Sequence, residues 1–196
     1  MSPRALKVSL VILLAAVLGM GLYLRSLTHR AELIREPAAD LRPVSAPVNG
    51  TPERVALFVA SDASGGLQRE DVQIALPQDH SQRAREILHA LIGRYQTKDS
   101  PHPLPGGADV KDVYIVNDKT AVIDVNSLFA DAHRSGILVE ELTVTSMIQT
   151  LAANLPGITR VKFLVEGSER QTLAGHADLS NFYDVAAVAA LASELR

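Results

Sequence analysis

The sequence predicts an α+β domain, a small β-sheet with two helices packed on one face, preceded by a transmembrane helix. Three observations predict it. Apolar residues recur at helical spacing in two stretches, 84–92 and 144–155. Elsewhere they alternate, or run in short blocks bounded by Gly, Pro, Asn and Asp, as strands do. These patterns succeed one another as β-α-β-β-α-β, with an extra small strand after the first. Two helical stripes in that order are buried most simply against one face of a shared sheet.

Val55 to Ala60 (VALFVA) is mostly apolar and reads as a strand buried on both faces. Ser61 to Gly66 is a turn rich in Asp, Ser and Gly, and Asp71 to Leu76 a second, weaker strand. Asp79 stands three residues before Gln82, a capping-box spacing. The helix behind it places Ala84, Ile87, Leu88, Leu91 and Ile92 on one face, and Gly93 ends the strong pattern. Residues 95–108 form a loop rich in Pro and Gly. Val110–Val116 and Thr120–Val125 are strands joined through Asn117-Asp118-Lys119, a hairpin signal. After a short loop around Ser135-Gly136, a helix runs from Leu138 to Leu155. Val144, Met147, Ile148, Leu151, Ala152 and Leu155 make its apolar face, and Pro156-Gly157 stops it. Val161, Phe163 and Val165 then alternate with Lys162 and Glu166 at a strand's period of two.

The flanks differ in kind. Val8 to Leu24 is an uncharged apolar run between Arg4 and Lys7 on one side and Arg25 and Arg30 on the other. As a helix it spans about 25 Å, the lower limit for crossing a bilayer, and Lys7 can snorkel to extend it. No A-x-A site follows the run, so an anchor is expected rather than a cleaved signal peptide. Flanking cations are nearly balanced; a short N-terminal tail and long C-terminal part fit a bacterial inner-membrane protein with its domain outside. His29 to Glu53 holds Pro37, Pro43, Pro47 and Pro52 without an apolar period, and reads as a stiffened linker. The expected organisation is an anchor at 1–28, a Pro-rich linker at 29–54, a domain at 55–182 and an Ala-rich helix at 183–196. Asp184 is the N-cap of that last helix.

Composition removes several classes of function. There is no cysteine, hence no disulfide, zinc–thiolate centre, cysteine nucleophile or lipobox. Residues 1–54 carry net +3 and residues 55–196 net −6. An acidic domain argues against nucleic acid, which needs clustered cations, and fits anionic wall polymers poorly.

The stretch Met147 to Ser180, reading MIQTLAANLPGITRVKFLVEGSERQTLAGHADLS, resembles the GerM (GerMN) domain of sporulation and spore germination proteins. The resemblance rests on a Thr-Leu pair late in the helix, the Pro-Gly stop, and Glu166-Gly167 closing the strand. Thr120-Ala-Val-Ile-Asp124-Val resembles the family's hairpin strand, and the likeness covers Val55 to Phe182. Asn126-Ser127 departs from the Ser that often directly follows that strand. The resemblance implies an extracytoplasmic module without established catalytic residues, similar in fold to ring-building motifs, that binds envelope proteins or self-assembles. Many such proteins are lipoproteins; here a protein helix is expected to replace the lipid.

Candidate sites are few. His176 and Asp178 form an H-x-D pair that could supply metal ligands, but His80, His89, His102 and His133 complete no ligand pattern with it. The plainer reading is that Gly175 permits a tight turn and Asp178 receives backbone amides. Asp124, between Ile123 and Val125, could be a tuned acid or base, yet no second carboxylate or base stands with it. Ser61 to Gly66 lacks the spacing of a phosphate loop, and no G-x-S-x-G elbow occurs. Glu140 and Glu141 suit a helix N-terminus. The expectation is no catalytic, cofactor or metal site. The alternatives are an envelope hydrolase or metal enzyme using Asp124, His176 and Asp178, or a ligand-sensing accessory domain.

Overall fold

Ser61 to Gly66 turns the chain back on itself, with Gly65 at φ 68 supplying a left-handed backbone, and the strands on either side pair without interruption. These are β1 (Thr51–Ser61) and β2 (Gly66–Leu76), in a computed structural model that describes residues 50–194. Then follow α1 (His80–Tyr95), β3 (Val110–Val116), β4 (Thr120–Val125), α2 (Ser127–Asp131), α3 (Ile137–Asn154), β5 (Arg160–Val165), β6 (Tyr183–Asp184) and α4 (Val185–Glu194). The anchor expected at Val8–Leu24 and most of the linker lie outside the described residues.

The α+β class holds, but the strands form two sheets rather than one. β1 and β2 make a two-stranded antiparallel sheet, and the other four strands a sheet in the order β3-β4-β5-β6. β3 and β4 are antiparallel, joined by Asn117 and Asp118 at φ 52 and 55, as a tight hairpin demands. β4 and β5 are parallel, with α3 in the crossover between them. Ala121, Ile123 and Val125 of β4 and Val161, Phe163 and Val165 of β5 are buried, together with the apolar stripes of α1 and α3.

The hairpin joins the rest of the domain through polar side chains as well as apolar ones. β1 has β2 along one edge, and on the other its N–H groups need partners. Asn154 Oδ1 accepts from Ala56 N at 3.0 Å, Thr150 Oγ1 from Phe58 N at 2.9 Å, and Tyr95 Oη from Ala60 N at 2.8 Å. Thr150 and Asn154 are one turn apart on α3, so their spacing matches alternate residues of a strand. Helix side chains thus close an edge that a third strand would otherwise cover.

Several boundaries differ from expectation. β1 starts at Thr51, inside the expected linker, and β2 reaches back through the polar run Gln68–Asp71 because it has a buried strand to pair with. Gly93 does not end α1, which continues to Tyr95. An exposed helical glycine costs about 1 kcal/mol, and the extra turn buries the Tyr95 ring completely and delivers its hydroxyl to β1. Asn126 caps the short α2, a helix that was not foreseen, by accepting from Phe129 N at 2.9 Å. Lys162 is buried rather than facing solvent, and β6 was not foreseen. Asp79 and Asp184 cap their helices as expected, accepting from Gln82 N and Ala187 N.

Candidate functional site

Helix α3 begins behind Gly136, which has no side chain to cap it. Glu140 takes over that task and more. Its Oε1 accepts from Gly136 N at 3.1 Å and faces His176 Nδ1 at 2.9 Å. Its Oε2 accepts from the N–H groups of Ala174, His176 and Ala177 at 2.9, 2.9 and 3.0 Å. The segment 174–177 therefore wraps its amides around one carboxylate, and Gly175 at φ 123 allows the bend. The Glu140 side chain is fully buried. Burial alone would push its carboxyl up; hydrogen bonds from the His176 ring and the surrounding amides outweigh that and hold it at about 2.

Beyond this knot, Asp178 accepts from Ser180 N at 2.7 Å and Asn181 Nδ2 at 2.8 Å, an Asx-type turn. These bonds, with that of the Ser180 hydroxyl foremost, lower its carboxyl from the usual value. Lys162 on β5 donates to the carbonyls of Leu179 and Ser180 at 3.0 and 2.5 Å, which is why it is buried: the tail folds over it. The tail then forms one wall of a groove of about 470 Å³, with the outward face of α3 and the C-terminal helix α4 as the others. Leu138, Leu142, Val188 and Leu191 supply its apolar lining, and Glu141 and Asp178 its acidic groups. Leu138 is 43% exposed and Leu191 62%. A second hollow of about 280 Å³ includes His80, Arg83 and Asp118, but Arg83 is already paired with Glu53.

The inner side of α3 carries another polar centre. His102 Nδ1 lies 2.6 Å from Asp62 Oδ1, and His133 Nδ1 lies 2.8 Å from the Arg134 carbonyl. Both rings point Nε2 at Thr143 Oγ1, at 2.6 and 2.8 Å. Burial pushes both imidazoles down from their usual value; for Asp62, the bonds from His102 and Arg134 outweigh burial and lower it. An Asp-His-Thr line has the order of a nucleophile relay, yet Thr143 and His102 are fully buried, and the hydroxyl also donates to Val139 O. These residues line neither hollow described above. A hydroxyl that no substrate can reach is a structural joint, tying loops around 62, 102 and 133 to α3.

Three comparisons bear on this geometry. The family model Germane, described as sporulation and spore germination, matches residues 56–171, more than half the chain. The chain belongs to that family. In fold, the GerM-like domain is similar to the tandem GerMN domains of the sporulation protein GerM from Bacillus subtilis, at 19% identity and a TM-score of 0.54. That match covers 68% of this chain and 46% of the tandem protein, so the chain spans about half its length. The first GerMN domain alone matches at 19% identity and a TM-score of 0.47, covering 65% of this chain and 92% of that one. A search of curated proteins returned no match.

Within the GerM-like domain, the three residues of the hydrolase alternative sit in separate networks. His176 is held by Glu140, Asp178 by its own turn, and the buried Asp124 accepts from Gly167 N at 2.8 Å, securing the turn after β5. Among the described residues no three His, Asp or Glu side chains gather as metal ligands do. Sequence reading placed the Gly175 turn and the Asp178 cap correctly and missed Glu140. One signal was available: Glu140 lies four residues before Val144 and seven before Met147, on the buried stripe of α3. The convergence of His102, His133 and Thr143 had no such signal, because two of its members are on loops.

Proposed function

We propose that this GerM-like domain is a non-catalytic docking module of the cell envelope, held beside the inner membrane by Val8–Leu24, with its domain outside the cytoplasm. The groove between α3, the 174–183 tail and α4 is its docking surface, and its occupant is an apolar protein segment flanked by Lys or Arg. The observation that carries this reading is a contrast: the buried ionisable groups around α3 are consumed by internal bonds, while the groove combines exposed leucines with the Glu141 carboxylate, which no bond among the described residues occupies, and with the solvent-exposed charge of Asp178. Leu138 and Leu191 can fill pockets on a partner, and Glu141 and Asp178 select a basic flank.

A photo-crosslinking residue at Leu191 of the full membrane-anchored chain tests this. It is expected to give a discrete protein adduct, where the same residue at Lys98 gives none; equal labelling from both positions contradicts the reading. An alkaline phosphatase fusion to the C-terminus is expected to be active and a cytoplasmic reporter silent. The opposite pattern rejects the topology.

A further inference from the structure

The strand edges of this domain are not treated alike. The outer edge of β1 is closed by Tyr95, Thr150 and Asn154. That of β3 is broken by a bulge between Val110 and Asp112, with Ile115 N donating to Ser81 Oγ and the Val110 carbonyl met by His89 Nε2. β6 has only two residues. The outer edge of β2 has no such device. Its eleven residues pair with β1 without a register shift and contain no proline.

The register says which groups are left over. The N–H groups of Ala56, Phe58 and Ala60 point away from β2, so Val55, Leu57 and Val59 exchange bonds with Val72, Glu70 and Gln68. Pro52 falls on the same outward parity as Ala56 and costs no ladder bond. The odd-numbered residues of β2 therefore aim their N–H and C=O groups off the free edge. Among the described residues no hydrogen bond reaches the N–H of Arg69, Asp71 or Gln73. Arg69, Asp71 and Gln73 are also solvent-exposed, so nothing described covers the edge.

We propose that a second copy of this chain adds to this edge, β2 against β2, antiparallel and centred on Glu70. Charge selects the register. Centring on Arg69 sets arginine against arginine, and centring on Asp71 sets aspartate against aspartate. Within each copy Arg69 and Arg54 already pair with Asp71. Centring on Glu70 sets Arg69 opposite the partner's Asp71 and Asp71 opposite the partner's Arg69, so the Arg69–Asp71 pair is exchanged across the two-fold axis without bringing like charges together. The central Glu70 is already neutralised in its own chain by Arg94, so its meeting with the partner's Glu70 is tolerated. Residues 66–74 of each copy are then paired. This surface is distinct from the groove and does not depend on it.

The absence of cysteine allows a direct test on the full chain in detergent or in its membrane. Even-numbered residues form the close, non-hydrogen-bonded pairs of the new ladder, within disulfide reach. Glu70→Cys is expected to give a covalent dimer on mild oxidation. Gln68→Cys and Val72→Cys are expected to give none alone but a mixed dimer when combined. Arg69→Asp and Asp71→Arg are each expected to remain monomeric, since each meets its own charge, and to dimerise when mixed, which also shows that both are folded. Glu141→Arg, in the groove, is expected to dimerise like the parent. Failure of Glu70→Cys to crosslink, no rescue on mixing the charge variants, or loss of the dimer in Glu141→Arg would overturn the proposal.

Discussion

Glu140 and Glu141 are neighbours near the start of α3, identical in chemistry and opposite in employment. Glu140 faces inward, fully buried, its two oxygens receiving four backbone amides and an imidazole. Glu141 faces outward at the edge of the groove. The same division continues along the helix. Thr143, Thr150 and Asn154 are used to hold loops and β1, while Leu138 stands exposed on the groove side. On the inner face Glu140, Thr143, Thr150 and Asn154 all bond within the fold. On the groove side the domain presents an apolar surface with acidic borders, the surface proposed above for docking.

The comparison breaks most visibly at Glu140. Glu140→Ala leaves the amides of Gly136, Ala174, His176 and Ala177 without their acceptor, and is expected to cost about 3–5 kcal/mol. A drop in the denaturant midpoint with an unchanged slope is the expected readout. Leu151, fully buried on the same face, is expected to cost about 2–5 kcal/mol when cut to Ala. An unchanged midpoint would mean that the inward face is misassigned.

Acid sharpens the same point. The Glu140 carboxyl titrates at about 2 in the fold against 4.5 when free. A depressed carboxylate stabilises fully above its unfolded value and loses that contribution as pH falls from 4.5 toward 2. The contribution is about 3 kcal/mol. Midpoints measured across this window are expected to converge for the parent and Glu140→Gln as pH falls. A gap that stays constant with pH would contradict the role given to the charge. Asn154→Ala, which opens two bonds to Ala56, is expected to cost about 1–3 kcal/mol and to raise hydrogen exchange at Ala56.

Much of this division was legible in the sequence, and the exceptions have physical causes. The stripes of α1 and α3, the Pro156-Gly157 stop, the Asn117-Asp118 turn and the caps at Asp79 and Asp184 are local patterns, readable because their causes lie within a few residues. Glu140 was misread because an acid in a first turn already has a sufficient local reason, the helix dipole. Its larger role comes from a segment 34 to 37 residues away. Lys162 obeys the strand period, but the tail that covers it arrives 17 residues later and cancels the exposure that alternation implies. The division into two sheets was hidden for the same reason. Nothing near β1 announces that Thr150 and Asn154, more than ninety residues on, will close its edge.

The inner face of α3 builds the domain, and its outer face is the one proposed for docking. Crosslinking from position 191, normalised to folded protein, in Glu140→Gln and Glu141→Arg backgrounds tests it most directly. Glu140→Gln is expected to lower stability and keep the adduct, while Glu141→Arg is expected to keep stability within about 0.5 kcal/mol and lose the adduct. An adduct lost with Glu140→Gln but kept with Glu141→Arg would contradict it.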